Sequence, residues 1–170
     1  MIRNNTLILL LVTVLVFISG CSDESKFHDD FQILSESWSE MDTLYFPFEI
    51  KDTAKKFDVT IMIRNTSNYP YYNLFVTHFL VDSISTYHKQ TSELLLFDPQ
   101  TGSPEGNRTF LIEKKIGNVF DHEYPLYRKL SFAKTGNYTI KIVQQMRNNQ
   151  PIEGIKAVGI KLYYHNSGKL

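Results

Sequence analysis

Over much of this chain the apolar side chains recur at every second position, and a period of two admits few folds. Leu44, Phe46, Phe48 and Ile50 alternate with Tyr45, Pro47, Glu49 and Lys51, the spacing of a half-buried strand. Pro47 has no N–H to donate, so that strand belongs at a sheet edge or bulge. Phe57, Val59, Ile61 and Ile63 alternate with Asp58, Thr60, Met62 and Arg64 and mark the clearest strand. The run from Leu74 to Val81 is rich in β-branched and aromatic residues, which suit a pleated surface. In the last third, Tyr138, Ile140 and Ile142 share one face, and Val158, Ile160, Leu162 and Tyr164 share another. Weaker strands are expected over 93–97, 109–116 and 126–132, while Gly117 to Pro125 holds no clear period. Asn65-Thr66-Ser67-Asn68 reads as a turn, and 100–107 as a long turn-rich loop. No stretch keeps a capped 3.6-residue period, and no internal repeat is present. The expectation is an all-β fold, an antiparallel β-sandwich with jelly-roll-like connectivity, over residues 42–170. Phe27 to Met41 reads as a loose helical turn or irregular linker, with Trp38, the only tryptophan, pinning it to the domain.

The N-terminal segment has a different composition. One charge, Arg3, precedes an uncharged and mostly apolar run from Thr6 to Ile18, which ends in Ser19-Gly20-Cys21. A basic start, a short apolar run and small residues at its end are the parts of a secretory signal peptide. The run falls short of the ~20 apolar residues of a spanning helix. Ile18-Ser19-Gly20-Cys21 resembles the lipobox of bacterial lipoproteins. That resemblance implies a signal peptide over 1–20, cleavage between Gly20 and Cys21, and acylation of Cys21. The bland alternative is an ordinary signal peptide followed by a chance cysteine. Cys21 is the only cysteine, so it has no disulfide partner within the chain, and lipidation gives it a use. More than one acyl chain makes a stable anchor. Residues 21–41 are then a lipidated polar tether and linker. Ser22-Asp23-Glu24 after the cysteine is similar to a surface-export signal of gliding diderm bacteria, and equally to a plain solvated tether.

Charge and composition exclude some functions. The chain carries 18 basic and 18 acidic residues, whereas nucleic-acid binders carry a basic excess that neutralises phosphates. No nucleic-acid partner is expected. With 42% hydrophobic and 14% aromatic residues the chain has enough apolar side chains for a packed core.

Signs of catalysis or metal binding are sparse. Asp121-His122-Glu123 is the one place where a histidine lies between carboxylates, and neighbours along a strand point to opposite faces, so the triplet does not converge on a metal. His78 lies in an apolar strand and reads as a core or edge histidine. Gly-x-Ser-x-Gly, the phosphate loop, paired cysteines and His-Glu-x-x-His are all missing from the sequence. No catalytic residue, metal site or cofactor is therefore expected. Asn65, Asn107 and Asn137 head glycosylation sequons that read as turn sequences in an exported bacterial chain. The tyrosines at 69, 71, 72, 163 and 164 admit two readings, a glycan-stacking platform or filling for the core and its rim.

Taken together, Ile63-Arg64-Asn65, Tyr69-Pro70-Tyr71-Tyr72-Asn73-Leu74, Gly136-Asn137-Tyr138, Gln145-Met146-Arg147 and the stretch Gly154 to Ile160 resemble the gliding-motility lipoprotein GldH family. Trp38, Phe46 and Asp52 fall at matching places upstream, and the likeness spans about residues 21–164. Ser103-Pro104-Glu105-Gly106 departs from the pattern, in which an aromatic residue and further glycines follow Gly102. The resemblance implies a non-enzymatic lipoprotein of the cell envelope, held at the outer membrane and needed for gliding. It also implies links to other gliding or type IX secretion proteins. It supplies no catalytic residues, and it leaves Arg64 and Arg147 either pairing with a carboxylate inside the sandwich or facing a partner. The alternatives are a surface lipoprotein whose sandwich binds glycan, and an envelope hydrolase whose acid/base pair meets in a cleft.

Overall fold

A computed structural model describes residues 26–35, 37–82, 86–105, 107–109, 119–147 and 151–165. The signal peptide expected over 1–20, with Gly20, then Cys21, the tether expected as far as Ser25, most of the strand expected over 109–116 and residues 148–150 lie outside the described residues. The strands are β1 Lys26–Ile33, β2 Ser37–Trp38, β3 Leu44–Ile50, β4 Lys56–Thr66, β5 Asn73–Asp82 and β6 Thr86–Leu95. They continue with β7 Asn107–Thr109, β8 Val119–Ser131, β9 Gly136–Gln144, β10 Ile152–Glu153 and β11 Ile155–Tyr164.

The alternation dictates which side of each strand is dry. In β3 Leu44, Phe46, Phe48 and Ile50 are buried while Tyr45, Pro47 and Glu49 are exposed. In β4 Phe57, Val59, Ile61 and Ile63 are buried between the half-buried Asp58, Thr60, Met62 and Arg64. One sheet has the order β1-β11-β4-β8-β7 and the other β3-β9-β5-β6, and every pairing is antiparallel. Setting aside the short β7, the four strands β1-β11-β4-β8 face β3-β9-β5-β6 in the order of a jelly roll, in which two Greek keys fold over each other. Pro47 sits on an edge strand, where a missing N–H breaks no ladder. A two-stranded ribbon of β2 and β10 pairs Trp38 with Ile152, both fully buried. The Trp38 indole N–H donates to the Asp42 carbonyl at 3.0 Å, so this side chain does pin the segment to the domain.

The two ends of the sandwich are built differently. Where β1 and β4 begin and β8 and β11 finish, Phe27, Phe48, Phe57, Phe132, Tyr138 and Tyr164 meet ring to ring. At the other end Gly154 has φ +84° and lies so close to Tyr69 that a Cβ would stand 2.6 Å from the Tyr69 nitrogen. Only glycine fits both conditions. The Tyr69 hydroxyl donates to the Asn73 carbonyl at 2.7 Å, which locks the Tyr-Pro-Tyr-Tyr-Asn turn.

Three expectations are corrected. Phe27 to Met41 is neither a helical turn nor a linker, because Lys26–Ile33 pairs along β11 and the sandwich reaches back to Lys26. The stretch 117–125 is not irregular, because β8 runs unbroken from Val119 to Ser131. Its inward positions include His122 and Tyr124, and register shifts opposite Val59 then break the alternation. Asn65 and Thr66 are the buried last residues of β4, so the turn starts later than expected.

Candidate functional site

Polar groups buried between the sheets come first, because they are where chemistry would hide. His78 on β5 is fully buried. Its Nδ1 lies 2.8 Å from the Tyr127 hydroxyl and its Nε2 3.0 Å from the Ser92 hydroxyl. Burial pulls its pKa down to about 4, so the ring is neutral at pH 7. His122 on β8 is 2% exposed, and its Nε2 lies 2.8 Å from Asn65 Oδ1. That oxygen only accepts, so the partner assigns the His122 proton to Nε2. Nδ1 faces the Tyr124 hydroxyl at 3.4 Å, and that hydroxyl donates to the Leu95 carbonyl. Burial pulls His122 down to about 4 as well, against the opposing pull of Asp121. Tyr124 and Tyr127 are pushed up to about 12 by burial.

Ser92 and His78 are therefore a hydroxyl–imidazole pair, but not an activated one. The group behind the ring is a phenol, where a triad has a carboxylate to stabilise the imidazolium. A histidine of pKa about 4 is also a poor base at neutral pH. Both rings act as hydrogen-bonded struts, as expected for His78.

The neighbours of His122 point the other way, as strand geometry requires. Asp121 and Glu123 stand on the outer face of the five-stranded sheet. Arg64 makes a two-pronged pair with Asp121 at 2.6 and 3.0 Å, on that outer face rather than within the sandwich. Glu123 accepts from Thr60 Oγ1 at 3.0 Å, Lys161 Nζ at 3.1 Å and the Tyr163 hydroxyl at 3.2 Å.

Between these two polar groupings the outer face turns apolar. Strand register sets Phe31 beside Gly159 and Met62, and Ile33 beside Ala157 and Arg64. A Cβ at Gly159 would fall 2.4 Å from the Phe31 ring, so the ring rests on bare backbone. The result is a shallow trough of about 430 Å³, with Phe31 46% and Ile33 87% exposed and with Asp29, Arg64, Asp121 and Lys161 around it. An apolar centre with a polar rim is the anatomy of a contact surface. The opposite sheet has a second hollow of about 590 Å³ among Phe75, Thr91, Gln145, Met146 and Arg147, where Arg147 is exposed. The first trough is hidden in the sequence because Phe31 and Ile33 fall in the stretch that reads as a linker. Their two-residue spacing was the available signal.

The tyrosines do not form one platform. Tyr69 is buried against Tyr71, Tyr164 packs on Phe27 and Phe57, Tyr163 bonds Glu123, and Tyr72 is half exposed. Most serve the core and its rim.

Fold and surface together define a jelly-roll domain with hydrogen-bonded polar side chains between its sheets and a shallow apolar trough on its outer sheet. The family model for the GldH lipoprotein matches residues 26–162, and the chain belongs to that family. It is 29% identical over 156 residues to the Gliding motility lipoprotein GldH of Flavobacterium johnsoniae, covering 91% of this chain and 89% of that one. It is 26% identical over 161 residues to the Gliding motility lipoprotein GldH homolog of Christiangramia forsetii, covering 91% and 93%.

Proposed function

We propose that this chain is a lipid-anchored, non-catalytic component of the bacterial gliding apparatus, held at the outer membrane through Cys21 and linked to type IX secretion. The observation that carries the reading is the family match across 26–162, preceded by Ile18-Ser19-Gly20-Cys21, which resembles a lipobox. In this account residues 1–20 are removed, Cys21 becomes the acylated first residue, and a four-residue tether leads into β1. His78 and His122, buried as hydrogen-bonded struts with no carboxylate behind either ring, count against a hydrolytic role. Its partners are other gliding or secretion proteins. Glycan binding is the weaker reading, because its aromatic platform is dispersed.

The experiment is a clean deletion in a gliding host, scored for colony spreading and for release of a secreted adhesin. Loss of both is the expected result. Loss of spreading with normal release would remove the secretion link, and normal spreading would end the gliding assignment.

A further inference from the structure

The sandwich sorts its charges between its two ends. At the end where β1 begins, Lys51, Lys55 and Lys56 lie in and beside the β3–β4 turn and are all exposed. Arg128 and Lys129 are exposed at a β8 irregularity, where Lys129 has φ 57° and its N–H donates to Asp58. Lys134 is exposed in the β8–β9 turn, and its carbonyl is held by Tyr138. These segments are neighbours, since Lys56 pairs with Ser131 and Ile50 with Gly136, and the His165 backbone N–H donates to the Lys56 carbonyl. Among the described residues this end carries five carboxylates, Asp29, Glu49, Asp52, Asp58 and Asp82, against seven cations, Lys26, Lys51, Lys55, Lys56, Arg128, Lys129 and Lys134. Asp52 caps its own turn, Glu49 pairs with Lys51, Asp58 binds His165 and Asp29 binds Lys26. At the far end the balance reverses among the described residues. Glu40, Asp42, Glu93, Glu105 and Glu153 are exposed there, against an exposed Arg147, a half-buried Lys156 and an Arg64 that is paired with Asp121.

We infer that the basic end is a docking surface for the anionic phospholipid headgroups of the leaflet that holds the protein. This rests on the reading that Cys21 is acylated. From Cys21 to Lys26 the chain advances five residues, about 18 Å at full extension whatever its conformation. The end bearing Lys26 therefore stays within that distance of the bilayer surface, while strands of this length carry the acidic end a further ~25 Å away. The anchor and the charge of the folded domain point the same way, although Asp23 and Glu24 lie in the sequence between them. The sandwich stands on its basic end, with its outer face and acidic end presented to other proteins. A basic side chain close to an anionic bilayer is worth about fivefold in partitioning. The contact is exposed and so is screened by salt, with a Debye length near 4 Å at about 0.5 M.

The test uses the full-length lipoprotein purified from the gliding host and reconstituted into phosphatidylcholine vesicles, with or without about one-third phosphatidylglycerol. Vesicles are floated, lysines are acetylated, and the sites are read by mass spectrometry. With flotation on both vesicle types, Lys51, Lys55, Lys56 and Lys134 should label about fivefold more slowly on the anionic ones. Lys156, near the other end, should label equally on both, and high salt should erase the difference. Lys55→Glu with Lys134→Glu, both at exposed sites, should remove the protection of Lys51 and Lys56. Flotation on both with equal labelling overturns the inference and leaves the anchor standing. Flotation on anionic vesicles alone overturns the anchor and supports the basic end. Flotation on neither overturns both.

Discussion

Acidification should destabilise this domain well before its carboxylates protonate. His78 and His122 are buried, and burial holds each near pKa 4 when folded. In the unfolded chain a histidine titrates near 6.5. The folded pKa of each base is depressed, so between those values the unfolded state binds more protons and stability rises with pH. The contribution is whole near neutral pH and is lost as pH falls from about 6.5 towards about 4. For one such group the loss between pH 7 and pH 5 is about 2 kcal/mol, and for the pair about 4 kcal/mol. Asp58 does not confuse this window. Burial pushes its carboxyl up, but hydrogen bonds from His165 and the Lys129 N–H leave it below the usual value, so its contribution is lost only at lower pH. The assay is urea unfolding across this range, followed by the emission of Trp38, the only tryptophan and a fully buried one. His122→Gln should remove about half of the pH slope, whatever it does to stability at pH 7. A flat profile between pH 7 and pH 5, or an unchanged slope in His122→Gln, would refute the burial argument.

Other perturbations test the packing. Gly154→Ala places a Cβ against the Tyr69 backbone at φ +84° and should cost more than about 2 kcal/mol, read as a lower urea midpoint. Gly159→Ala meets the Phe31 ring and the Asp30 carbonyl and should cost about 1–2 kcal/mol. Part of that cost should vanish in a Phe31→Ala background, where simple additivity would contradict a ring resting on the glycine. Arg64→Met breaks a surface pair whose arginine side chain is 42% exposed, so the urea midpoint should move by less than about 1 kcal/mol.

The parts of the fold legible in sequence were those where one face is apolar and the other polar. β3 and β4 announced themselves this way, and Pro47 predicted an edge. β1 did not, because its inward positions include His28, Asp30 and Gln32 while Phe31 and Ile33 point outward, an inverted pattern. β8 was hidden by an inward histidine and tyrosine and by register shifts that reset the period midway. The start of β6 was hidden by its polar residues, since an edge strand with a wet outer face needs little apolar signal. The Asp121-His122-Glu123 triplet was legible because strand geometry alone separates its side chains. The outer trough was not, because it depends on β1 lying beside β11 and on a glycine that leaves room for a ring. The sorting of charge between the ends was equally invisible to a net charge of zero.

The most direct test of the central claim is complementation of a deletion strain by wild type and by Cys21→Ala, scored for colony spreading at matched protein levels. The anchored-component account predicts that wild type restores spreading and that Cys21→Ala, released from the membrane, does not. Full spreading with Cys21→Ala would contradict it.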